Sequence, residues 1–271
     1  MLAVPTPAAD AYRRLAGLCD AMAVEVTDDR HPAGTFGTFG TFGGTWWDAT
    51  ELATRPEALR AAVDGEAARI LAEHGHAPRR HVAASRVLHD YLWTVGLLFA
   101  GPWYLEGRIP VLRPERLWFE PVGGGFAVSP DGFASPPGEA GSPEGLRKAF
   151  DEFVDPLLTA FRPEIRRGPH ALRGMAADDL VSALCYLGRT IGQEAQTMRE
   201  AAALAPEGPQ FRTLRGPSGR SHPVRTRTGC CLFYAIRPAE ACLTCPRIDD
   251  TERVRQLEAE ADQAEAQAEA G

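Results

Sequence analysis

The sequence predicts an α+β fold: mostly helical, with a small antiparallel sheet and a small C-terminal lobe that bears cysteines. Three observations predict it. Apolar residues recur at three- to four-residue spacing through much of the chain, which is the helical period. Between Arg108 and Val128 the pattern changes to short apolar runs broken by prolines and glycines. Four of the six cysteines, Cys230, Cys231, Cys242 and Cys245, crowd into one late segment.

Composition bounds the alternatives. The chain has 271 residues, is 44% hydrophobic and carries a net charge of −7. That length can bury a substantial core, and the acidic balance argues against a general nucleic-acid role. Met1 to Asp10 has neither a basic n-region nor an apolar h-region, so no secretory signal is read there. The longest apolar stretch, Tyr91 to Leu105, contains Pro102 and is flanked by Asp90 and Glu106. A spanning helix needs roughly 20 apolar residues, so this stretch reads as core. Together these features predict a cytoplasmic protein with no membrane span.

The elements follow in order. Ala8 to Met22 reads as a helix, with Tyr12, Leu15, Leu18, Cys19 and Met22 on one stripe. Thr35 to Gly44 repeats TFG three times and reads as a surface loop, with a lid over a ligand as the sharper alternative. Thr54 and Glu57 fit a capping box with Pro56 in the first turn, opening a helix that Gly75 ends. Leu59, Val63, Ile70 and Leu71 supply its buried face. A second helix is expected from Arg79 to Phe99. Two or three strands with a turn at Gly123-Gly124-Gly125 are expected over 108–128. That turn lacks the pattern of a phosphate loop, and no dinucleotide fingerprint occurs in the chain.

Ser129 to Ser142 is rich in proline and glycine and reads as a linker. Ser142-Pro143-Glu144 opens a helix through Phe161, in which Pro156 is a candidate kink. One further helix is expected from Asp178 to Leu204. The tail, Asp250 to Gly271, is rich in Glu, Ala, Gln and Asp and reads as a solvated helix or as disorder. The division expected is an N-terminal α+β region over 1–140, a helical region over 141–210, a cysteine-bearing segment over 211–249 and an acidic tail over 250–271. Cys19 and Cys185 read as core residues, as do Trp93, Trp103, Tyr104 and Trp118. His74, His76, His81 and His89 lack a zincin pattern and read as surface or capping residues.

The chemistry lies in TRTGCCLFYAIRPAEACLTCPR. In a reducing compartment, a cysteine cluster of this kind binds metal more readily than it forms disulfides. Four close thiolates repel one another, and a metal centre relieves that repulsion. A structural Cys₄ zinc and an iron–sulfur cluster both satisfy the donor set. Zinc ribbons present two Cys-x-x-Cys knuckles, whereas here only Cys242 and Cys245 have that spacing. Cys230 and Cys231 are adjacent, so their side chains tend to diverge. Spacing alone leaves both chemistries open.

The CC-x10-C-x2-C arrangement, with Leu232, Tyr234 and Pro246 around it, resembles the C-terminal signature of the FhuF-like ferric iron reductases. Arg225, Arg227 and Thr228 resemble the family as well, and PHALRGMAADDLVSAL upstream is loosely similar to it. The resemblance implies a [2Fe–2S] cluster held by Cys230, Cys231, Cys242 and Cys245. It implies one-electron reduction of Fe(III) in a hydroxamate-type ferric siderophore, with release of Fe(II). Residues 1–140, which carry no family pattern of their own, are the candidate substrate-contacting part. A separate donor, such as a ferredoxin or a flavin reductase, would supply the electrons. Arg220, His222, Arg225 and Arg227 are candidates to attract an anionic siderophore or the donor, or to hydrogen-bond sulfur. The competing readings are a zinc-stabilised interaction module and a [2Fe–2S] electron carrier serving another oxidoreductase.

Overall fold

A computed structural model describes residues 7–19, 24–27, 45–121, 124–134, 138–237 and 241–270. The Thr35 to Gly44 repeat lies outside these residues. The α+β fold is observed, with helices dominant.

Helix α4 (Arg80–Glu106) is the centre of the molecule, and α1 (Pro7–Leu18), α3 (Pro56–His74), α5 (Pro143–Ile165) and α6 (Pro169–Thr190) pack on it. Its sequence is apolar nearly all round, and it is buried nearly all round. It runs past the predicted end at Phe99 and through Pro102. Proline cannot donate to the carbonyl four residues back, which leaves the oxygen of Leu98 without its helical partner. The Tyr12 hydroxyl of α1 donates to that oxygen at 2.8 Å. A tertiary hydrogen bond thus satisfies the group that would otherwise be stranded, and the helix continues to Gly107 in the left-handed conformation.

Helix α1 ends at Leu18, so Cys19 of the predicted stripe lies just past it, and residues 20–22 lie outside the described residues. The capping box also lies elsewhere. Asp48 accepts from the Glu51 N–H and Glu51 reaches back to the Asp48 N–H, opening the short helix α2 (Ala49–Thr54). Thr54 instead donates to the Thr50 carbonyl, and α3 begins at Pro56 without a side-chain cap. Gly75 closes α3 as predicted, at φ 72°. Leu71 is 48% exposed, contrary to its predicted place on the buried face.

The expected sheet is present. Strand β4 (Leu117–Glu120) pairs antiparallel with β5 (Gly125–Val128). Two segments from further upstream complete it. Strand β1 (Val24–Val26) adds in parallel to β5, and β2 (Trp47–Asp48) adds antiparallel to β4. A two-residue pair, β3 (Pro110–Val111) with β6 (Gly132–Phe133), lies beside it. Ser142 caps α5 through the Gly145 N–H, as the sequence indicated.

The single helix predicted from Asp178 is two. Helix α6 starts earlier, at Pro169, and breaks after Thr190. Helix α7 (Glu194–Leu204) then folds back on α6. Gly192 at φ 71° makes the reversal, and Gly188 lets Thr197 come close. A hairpin, β7 (Gln210–Arg215) and β8 (Ser221–Thr226), leads into the cysteine segment. The tail is helix α8 (Asp250–Ala270). No helix among the described residues is long and apolar enough to cross a membrane.

Candidate metal centre

The four late cysteines line one small pocket together with Arg227, Gly229, Phe233, Tyr234 and Pro246. Cys231 and Cys245 are buried, while Cys230 and Cys242 are partly exposed. The pocket therefore has a closed back and an open edge.

Backbone geometry brings the adjacent pair together. Leu232 sits at φ 64°, a left-handed conformation that non-glycine residues seldom adopt. The reversal turns the Leu232 N–H onto the sulfur of Cys230 at 3.4 Å. Leu232 tolerates it because its side chain packs against Ile70, Val82 and Ile236. The second pair forms the expected tight turn. The Cys245 N–H donates to the Cys242 carbonyl at 2.8 Å, and the Arg247 N–H reaches the Cys245 sulfur at 3.4 Å. Amide hydrogen bonds of this kind stabilise charge on sulfur. The Arg227 N–H donates to the Thr244 carbonyl at 2.9 Å, tying the strand before one pair to the loop of the other.

Behind the pocket stands a buried charged wall. Helix α6 supplies Asp178 and Asp179, neither of them exposed. Arg227 donates to Asp179 at 2.7 Å and lies 3.7 Å from Asp178. Nδ1 of His89, on α4, lies 2.7 Å from the same Asp179 oxygen. Asp178 accepts the N–H groups of Thr228 and Gly229 at 2.9 and 2.8 Å, which fixes the approach to Cys230. Burial opposes the charge on Asp179, but Arg227 and His89 outweigh it and hold its carboxyl below the usual carboxylate range. At Asp178 burial wins and pushes the carboxyl up, against Arg227 and the two N–H groups.

The thiols respond to this setting. Cys231 is held well below the ordinary thiol range, first by a hydrogen bond with Cys242, then by the neighbouring His89, Arg86 and Arg227. Cys242 moves the opposite way as the partner that keeps the proton. Burial pushes Cys230 up. Such a pocket gives up its first proton readily and needs a cation to shed the rest. Among the described residues, no group of three or more Cys, His, Asp or Glu side chains is arranged to hold a metal ion. The four thiols face a common pocket without closing around one point.

Of the basic residues read from the sequence, none reaches out freely for a substrate. Arg220 is engaged by Glu258, Asp262 and Glu265, and His222 by Glu258. Arg225 donates to Ser182, and Arg227 belongs to the buried wall. The sequence reading took His89 for a surface or capping residue, whereas it is half-buried against Asp179, and it missed Asp178, Asp179 and Arg253. Two consecutive aspartates on an otherwise apolar helical face were the available signal, since buried acids require partners. Arg253 of α8 is 1% exposed and donates to the carbonyls of Leu243, Cys245 and Ile248. The tail is thus part of the scaffold of the site. Cys19 and Cys185 lie in the main core, as expected.

Soft thiolate donors, amides aimed at sulfur and guanidinium groups behind them suit a thiophilic metal centre. Residues 227–247 match the FhuF 2Fe–2S C-terminal domain, and the four cysteines fit its motif, which supports a [2Fe–2S] cluster as the cofactor. No curated protein matches the chain.

Proposed function

We propose that Cys230, Cys231, Cys242 and Cys245 ligate the [2Fe–2S] cluster and that the protein reduces siderophore-bound Fe(III) by one electron, releasing Fe(II). The observation that carries this reading is the convergence of all four cysteines on one pocket, inside the segment that matches the 2Fe–2S domain. A bound [2Fe–2S] centre supplies single-electron chemistry over a wide range of potentials.

The residues of the chain do the rest. Leu232 and Arg247 direct amide N–H groups at two of the sulfurs, which favours the more negative, reduced state. Arg227, clamped by Asp179, supports the thiolate of Cys231 from behind. The partly exposed Cys230 and Cys242 leave an edge through which an electron can reach a substrate. Hard oxygen donors hold Fe(III) far better than Fe(II), so one electron is enough to loosen the chelate. A hydroxamate-type siderophore is the substrate class that the family resemblance favours.

Anaerobic purification followed by iron and acid-labile sulfide analysis tests the site. About two irons and two sulfides per chain, with a paramagnetic signal after reduction, are expected. Reoxidation of the reduced protein by a ferric hydroxamate is expected to restore its visible absorption. Stoichiometric zinc without iron or sulfide would replace this reading with a structural Cys₄ site. Reoxidation that does not discriminate among ferric chelates would favour a general electron carrier.

A further inference from the structure

The edge of the pocket differs in charge from the protein as a whole. The chain carries a net charge of −7. Where Cys230 and Cys242 approach the surface, arginines from two separate segments flank them. Arg167, at the corner between α5 and α6, donates to the Cys230 carbonyl at 2.5 Å, and exposed Arg166 precedes it. On the other flank, exposed Arg247 stacks its guanidinium 4.2 Å from the ring of Tyr234, which lines the pocket. Among the described residues, neither Arg166 nor Arg247 has a carboxylate partner, whereas Glu164, in the same corner, is engaged by Arg80 at 2.7 Å. The chain's largest run of acids, on α8, is partly engaged by Arg212 and Arg220 of the hairpin.

We propose that this cationic edge, carried by Arg166, Arg167 and Arg247, is the docking surface for an acidic one-electron donor protein. The proposal rests on the assignment of the cluster to the four cysteines. In the transfer itself, the donor loses one electron and the oxidised cluster gains it; no proton or atom changes hands. Charge complementarity argues for the partner. An acidic donor meets overall repulsion from this protein and attraction at this edge, which helps to orient the encounter. An uncharged ferric hydroxamate gains little from arginines. The cations come from two separate segments, one beside Cys230 and one beside Tyr234, a spread that matches a protein surface better than one small anion.

The test uses the full-length protein loaded with its cluster. Photoreduction by deazariboflavin, a small uncharged reductant, first reports whether each variant holds a reducible cluster. Reduction by a reduced, acidic plant-type ferredoxin is then followed by visible bleaching across ionic strengths. Binding of the oxidised ferredoxin is measured separately by calorimetry. The second-order rate is expected to fall as salt rises, and to drop about tenfold at low salt in the double variant Arg166→Glu, Arg247→Glu. The two proteins should converge at high salt. Equal rates and equal ferredoxin affinity in native and variant protein would overturn the proposal. So would a variant that loses affinity for a polyanionic ferric chelate while keeping its ferredoxin rate. A chain that holds no [2Fe–2S] cluster would instead remove the cysteine assignment itself, a result read before any ferredoxin is added.

Discussion

At the scale of single residues, the structure turns on buried groups that find unusual partners. The Tyr12 hydroxyl satisfies the Leu98 carbonyl that Pro102 leaves open. Tyr12→Phe strands that oxygen in the core, and a loss of about 1–3 kcal/mol is expected in denaturant unfolding. In a Pro102→Ala background the helical N–H returns, so the same substitution should cost clearly less. Equal costs in both backgrounds would refute the link. The pair Arg227–Asp179 is similarly exposed to disruption, at 4% and 0% side-chain exposure. Asp179→Asn removes one partner of a buried ion pair, a change that costs on the order of 3–5 kcal/mol. Unfolding midpoints of the metal-free protein measure it without the cluster. None of these partners was legible in the sequence. Tyr12 read as a stripe residue and Pro102 as an interruption, because a contact between positions so far apart leaves no local trace. The cysteines were legible because their chemistry depends on spacing, and spacing is local.

At the scale of elements, helices α4 and α6 must approach closely for His89 to meet Asp179. Gly96 permits this: a Cβ there would lie 3.1 Å from the Leu180 Cα and 3.2 Å from the Ala183 Cβ. Gly96→Val should force the helices apart and destabilise the protein by about 1–3 kcal/mol. Loss of the His89–Asp179 contact, read from the imidazole resonances, should accompany it. Helix α8 depends on charge. Hydrogen bonds from His222 and then Ser218 hold the Glu258 carboxyl below the usual range, with Arg220 adding to the effect. A depressed acid contributes to docking above its unfolded pKa, and that contribution is lost as pH falls through the folded value. Fast motion of α8 amides, measured by heteronuclear relaxation, should therefore increase between pH 6 and pH 3. The acidic composition announced a solvated helix here. Its anchor was hidden in one residue, Arg253, which donates to carbonyls of the cysteine loop, a contact with no local trace in the sequence.

At the scale of the whole molecule, the cysteine segment and the main core are separate packing units. Cys19 and Cys185 belong to the main core, and the four late cysteines do not. Their loop is held by polar bonds to Arg227, Asp178, Arg253 and Ser85, and by the small apolar group of Leu232, Ile70, Val82 and Ile236. A helical core of this size does not need a metal in order to fold, unlike a small metal-dependent domain. Removing the cluster should therefore leave the far-ultraviolet dichroism nearly unchanged, while amides in 227–247 lose protection from hydrogen exchange. Substituting any one of Cys230, Cys231, Cys242 or Cys245 by Ser should give the same result, together with loss of iron. Cys19→Ala and Cys185→Ala should retain iron and instead lower the unfolding midpoint modestly. General loss of helix on cluster removal would mean that the site is integral to the fold. The buried wall of Asp178, Asp179 and His89 would then be a structural keystone that the cluster completes.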